Sequence, residues 1–199
     1  PRFEWKELSS KSYDLYVHYH DRDREFGQTV LSSAEQAAER MEGGFQAHLT
    51  QPINVVIYND PDEAIGFIDS FTEQMGGQAI PSLGATFQVI SDTYGMNAWI
   101  QDVVPHEISH LYFYQATGGE KDNMYFSPPD WLNEGLAGVN AYGIDENKLE
   151  TINWELSHSA SIPSLKYLAV NFGMTSGPVE SEYNQAYSAV CFLIKTYGQ

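Results

Sequence analysis

The stretch Val104-Pro105-His106-Glu107-Ile108-Ser109-His110 constrains this chain most, because it sets metal-binding and acid–base side chains inside an apolar, helix-compatible run from Trp99 to Tyr114. In a helix His106 and His110 are four residues apart on one face, close enough for both imidazoles to reach one ion. Glu107 lies about 100° around the helix from His106 and about 60° from His110, so its carboxylate flanks that face. Pro105 removes one backbone donor and predicts a bend or local loosening in mid-helix. The chain must therefore fold so that this helix is covered on its apolar side, open on its histidine side, and met there by a further ligand.

The full chain of 199 residues supports one good core, and neither a Pro/Gly-rich linker nor a charge block divides it. We read one domain over residues 1–199, with a sheet-containing lobe at 1–95 and a helical lobe at 96–199 that carries the site. Hydrophobic residues at 42% and aromatics at 14% suffice for globular packing. A formal charge of −17 argues against nucleic acid, whose affinity for proteins comes from Lys and Arg, and disfavours anionic membranes. No apolar run approaches the ~20 residues that span a bilayer, so this segment is expected to make no membrane contact. Cys191 is alone, set among apolar neighbours, and reads as a small buried hydrophobe. The chain opens on Pro1 rather than Met, which reads as an excised or processed piece of a longer protein.

Along the chain, Arg2 to Leu8 and Tyr13 to His20 predict two paired strands, with His18 and His20 read as surface or core residues. A helix period follows from Gln28 to Leu49, then a buried central strand at Ile53 to Tyr58. Asp60 and Pro61 open a second helix that continues through Phe71, and Gly76-Gly77 ends that region. Ala79-Ile80 and Ala85 to Ile90 predict further strands. The latter immediately precedes the histidine helix; such a strand can border a cleft and bind an extended peptide by strand addition, although most strands of this kind simply complete the sheet. After the helix at Asn97 to Ala116, residues 120–129 form a loop. Asp130 is expected to cap a helix from Trp131 to Tyr142, and further helices are expected near Asn147 to Ser157 and Val179 to Thr196.

Glu134 shares a helix face with Ala137, Gly138 and Ala141. Three small residues let another helix approach closely, and a carboxylate on such a face needs a partner. Catalytic zinc takes three protein ligands and keeps one position open, and two His with one Glu is a known set. His106, His110 and Glu134 meet that requirement, with 23 residues between His110 and Glu134 for a loop and a new helix. Water on such a zinc has its pKa lowered to ~7, and Glu107 would act as general base. Two histidines at this spacing also occur as ordinary surface or core residues.

The motif around His106 to His110, followed by Trp131-Leu132-Asn133-Glu134-Gly135-Leu136-Ala137, resembles the gluzincin clan of zinc metallopeptidases, most closely the peptidase-MA-like branch with its H-E-L-T-H and W-L-x-E-G-L-A patterns. Glu182-Tyr183-Asn184-Gln185-Ala186-Tyr187 and Leu193-Ile194-Lys195-Thr196-Tyr197-Gly198 are similar to that branch's C-terminal A-Y-x-Q-S-Y and L-I-x-x-Y-G patterns. The resemblance implies an α+β zincin fold like that of thermolysin: a mixed β-sheet lobe with an edge strand above a cleft, a helical lobe, and the active-site helix between them. It implies one Zn2+ per chain and a peptide or protein substrate. It also implies Tyr183 as a hydrogen-bond donor to the tetrahedral oxyanion. Gly138 stands where the thermolysin-like enzymes carry an Asp that orients a zinc histidine, with Asn133 and Asn140 as possible substitutes. Leu83 to Phe87 lacks the Glu that anchors a free amino terminus in aminopeptidases, which favours an endopeptidase. Relatives continue for several helices past the final Tyr-Gly, so part of the domain is expected beyond Gln199. A binding module or pseudoenzyme that keeps the scaffold is the alternative.

Overall fold

Apart from Asn54, the segment Ile53–Tyr58 is entirely β-branched or aromatic, and it forms the middle strand of a five-stranded sheet. The computed structural model describes residues 3–64, 76–91, 95–118, 128–159, 161–174 and 178–198. It divides into two compact units, Pro1–Glu120 and Lys121–Gln199.

In the first unit the strands are Lys6–Ser9 (β1), Leu15–Tyr19 (β2), Ile53–Tyr58 (β3), Gly77–Ile80 (β4) and Ala85–Val89 (β5), in the spatial order β1-β2-β3-β5-β4. The sheet is mixed: β2, β3 and β5 run parallel, while β1 and β4 are antiparallel to their neighbours. The helix Arg24–Gly44 (α1) makes the crossover between β2 and β3. It starts a turn before the apolar period does, because the Asp23 side chain accepts a 2.8 Å bond from the Phe26 amide and caps it. The short helix Pro61–Ala64 (α2) follows β3, with Asp60 Oδ1 accepting from the Glu63 amide at 3.2 Å as the Asp-Pro signal predicts. Its expected continuation to Phe71 lies outside the described residues.

The helix Met96–Ala116 (α3) carries the H-E-x-x-H stretch. Together with α1 it covers one face of the sheet, where Leu15, Val17, Ile53, Val55 and Ile57 pack against Val30, Ala34, Ile100, Val104 and Ile108. Each large side chain buried there contributes about 1.5–3 kcal/mol. The opposite face holds Tyr58, Ala64 and Val89, with Phe3, Val56 and Phe87 against them.

Two sequence expectations sharpen here. Of the two readings of Ala85 to Ile90, the strand completes the sheet and offers no free edge for strand addition, because β5 is paired on both sides, with β3 and with β4. Gly76-Gly77 does not merely end a helical region; Gly77 is the first residue of β4, which stands at the end of the sheet order.

The second unit contains helices Asp130–Tyr142 (α4), Glu146–His158 (α5), Leu165–Leu168 (α6) and Val179–Tyr197 (α7). Cys191 is buried, as expected of a small hydrophobe. No described helix is long and apolar enough to cross a membrane.

Candidate metal centre

Burial along α3 follows the helical period, with Ile100, Val103, Val104, Glu107, Ile108, Leu111 and Tyr112 turned inward. Ser33 of α1 donates to the Ile100 carbonyl at 3.2 Å, which ties the two helices together. The helix runs on through Pro105, whose carbonyl accepts from the Ser109 hydroxyl at 2.9 Å.

His106 and His110 fall on the same side of α3, both only partly covered, with ring centroids 4.9 Å apart and ring planes at 83°. Two imidazoles one turn apart are a bidentate nitrogen donor set of the kind zinc takes. Their spacing and partial exposure fit such an ion. Glu107, next to His106 on the same helix, is only 7% exposed. Its side chain lies on the backbone of Gly77 in β4, where a β-carbon would fall 2.7 Å from Glu107 Cγ and 3.1 Å from Oε1. The first unit thus carries His106, His110 and Glu107 on one helix, with the two imidazoles paired and Glu107 seated on β4.

Glu134 and Tyr183 belong to the second unit. Glu134 is half-buried on α4, one turn after Asp130. Burial, and then the nearby Glu134 carboxylate, raise the pKa of Asp130 above the usual Asp range. Asp130 is itself the first residue of α4; Pro129 holds the capping position and no side chain caps the helix. The expected Asp cap is displaced by one residue because Pro129 supplies the extended backbone at that point. Gly135 and Gly138 face α7, where Ala186 and Tyr187 press on them. An Asp at position 138 would therefore point at Tyr187.

The two tyrosines of α7 separate clearly. Tyr187 is 3% exposed, and its hydroxyl donates to the Gly143 carbonyl at 2.9 Å and accepts from the Asp145 amide at 3.0 Å. It anchors the turn between α4 and α5. Tyr183 is 40% exposed and meets Phe172 edge-on at 5.0 Å. A groove of about 580 Å³ in this unit, walled by Trp131, Leu149, Leu156 and Phe192, includes neither Glu134 nor Tyr183 in its lining.

The early histidines have structural surroundings. His18 bonds Asn54 at 3.0 Å, while His20 is fully buried, stacked on Phe3, with Asp21 and Glu63 oxygens 3.0 and 3.2 Å from its ring nitrogens. Three residues of the two units escaped the sequence reading. Gly77 gave no local signal beyond a glycine pair. Gln88, fully buried and donating to Thr86 Oγ1 at 3.0 Å, looked like any strand residue. Glu182, 1% exposed and accepting from the Gly173 amide at 2.6 Å, gave no sequence signal of its burial.

A family model described as the peptidase MA superfamily matches residues 33–199. The chain belongs to that superfamily, whose members are metallopeptidase-type proteins, and its mixed sheet and helices are compatible with the fold of the clan. No curated protein matches the chain.

Proposed function

We propose that this protein is a zinc-dependent endopeptidase of the gluzincin type, in which His106, His110 and Glu134 hold one Zn2+ per chain and Glu107 is the general base. The observation that carries the reading is the pair of partly exposed imidazoles one turn apart on α3, with Glu107 between them in the H-E-x-x-H sequence, in a chain of the peptidase MA superfamily. Glu134 enters from the W-L-x-E-G-L-A resemblance and from its place on a helix whose neighbouring glycines face α7. The substrate class is an unstructured peptide or protein segment, the whole chain acts as one catalytic domain, and the fold is thermolysin-like.

Bound zinc supplies Lewis acidity, polarising the scissile carbonyl and lowering the pKa of water to ~7. Glu107 takes the proton of the attacking water on its carboxylate and delivers it to the leaving amine as the C–N bond breaks. Tyr183, with its exposed ring, donates to the oxyanion that forms in between.

The test is metal analysis together with hydrolysis of a disordered peptide by the parent and by Glu107→Gln. We expect about one zinc per chain in both, chelator-sensitive cleavage in the parent, and a loss of at least about 10²-fold in the variant. Equal cleavage by Glu107→Gln would remove the proposed base. Stoichiometric zinc with no turnover of any peptide would point instead to a binding module on the same scaffold.

A further inference from the structure

We infer that Gly77 is a positioning residue for Glu107: its bare backbone in β4 is the seat on which the Glu107 carboxylate lies, and any side chain at position 77 moves that carboxylate. The inference rests on the reading of Glu107 as general base.

Three atoms define the seat. A β-carbon built on Gly77 would lie 2.7 Å from Glu107 Cγ, 3.0 Å from Cδ and 3.1 Å from Oε1. The outer half of the side chain therefore rests flat on the strand. Gly77 is paired in register with Gln88, which is fully buried, so the wall beside the seat is closed by a packed strand. Among the described residues a position-77 side chain meets nothing else so near, since all three nearest atoms belong to Glu107.

The identity of the neighbour decides what gives. Backbone cannot move cheaply, whereas a glutamate side chain can change rotamer, which swings its Cγ and carboxylate away together. No left-handed backbone holds position 77, so alanine is conformationally acceptable there. Alanine at 77 should thus be tolerated by the fold while pushing the carboxylate off its seat. Displacement of a reacting group by about 1 Å costs on the order of 10² in rate. Glycine 76 provides the contrast: a β-carbon there would meet the Trp99 ring at 2.2 Å, not Glu107.

The experiment has two arms on the full chain. The first compares parent, Gly77→Ala and Gly76→Ala, loaded with zinc, on one disordered peptide. For Gly77→Ala we expect unchanged zinc content, KM within about twofold and kcat lower by about 10²-fold. A positioning role predicts this split, whereas general loosening would move zinc content and KM as well. The second arm is a stability cycle that needs no activity: urea midpoints of parent, Gly77→Ala, Glu107→Ala and the double variant. Glu107→Ala removes all three contacting atoms, so Gly77→Ala should lower the midpoint of the parent but leave that of Glu107→Ala unchanged or raised. The inference is overturned if Gly77→Ala keeps the parent's kcat, or if it shifts both midpoints equally. A parent that cleaves no peptide while the coupling is present overturns the peptidase reading and the positioning role with it. A cleaving parent with an unaffected Gly77→Ala overturns the inference alone.

Discussion

Gly135 of α4 lies directly against the Ala186 carbonyl of α7: a β-carbon at position 135 would be 2.4 Å from that oxygen and 2.5 Å from Val190 Cγ2. The first of these neighbours is backbone, so the helices must part to admit a methyl group. Alanine gains up to about 1 kcal/mol over glycine in a helix interior, but overpacking costs about 1–3 kcal/mol and more where backbone must shift. The clash wins, and Gly135→Ala should destabilise the chain by about 2 kcal/mol in urea unfolding. Gly138→Ala should cost less, because the nearest atom to its β-carbon would be in the Tyr187 side chain, at 3.2 Å. The reverse ranking would mean that the close approach of α4 and α7 is misread.

Tyr187 makes a prediction at high pH. Burial, the largest cause, pushes its hydroxyl from 10.0 up to about 12. The folded state then keeps a proton that the unfolded state releases, so stability is whole below about pH 10 and falls as pH rises toward 12. After discounting for solvent screening the loss is on the order of 1–2 kcal/mol. Tyr187→Phe should be less stable at neutral pH, having lost the bonds to Gly143 and Asp145, yet should show a shallower decline between pH 10 and 12. Parallel stability curves for parent and variant across that window would refute it.

The boundary between what was legible in the chain and what was not follows the range of the forces involved. Ile53–Tyr58 and α7 could be read closely because β-branched runs and helical periods are local and repeat over many residues. The three-residue spacing between Glu107 and His110 likewise fixes which side of a helix each occupies. The pairing of β5 on both sides was not legible, since it depends on where β4, a strand of four residues, returns. Nor was the seat at Gly77, which joins residues thirty positions apart through the absence of a side chain. Gly138 shows the limit from the other direction. Its departure from the thermolysin-like Asp suggested a missing partner for a histidine, whereas in the structure that position is turned against Tyr187.

The cap of α1 is a third test, and it is independent of metal. Asp23 accepts from the Phe26 amide at 2.8 Å and holds extended backbone ahead of Arg24. Asp23→Ala should cost about 1 kcal/mol, while Asp23→Asn should keep most of the stability, since its amide oxygen can accept the same bond. Equal losses in both variants would show that charge at the helix start, rather than the cap bond, matters there.

Zinc removal tests the ligand set without reference to catalysis. An ion that binds only the folded chain stabilises it by RT ln(1 + [L]/Kd), about 2.7 kcal/mol when free metal is 100 times Kd. Chelation of the parent should therefore lower its unfolding midpoint, and added zinc should restore it. His110→Ala removes one of the two imidazoles whose rings lie 4.9 Å apart, so its midpoint should no longer respond to chelator or to zinc. Glu134→Gln keeps the shape of the third proposed ligand but replaces an anionic oxygen by a weaker neutral one, and should need a higher zinc concentration for the same shift. A full zinc response in Glu134→Gln at the parent's concentration would leave His106 and His110 as ligands but remove Glu134, and the third ligand would then have to be sought elsewhere in the chain.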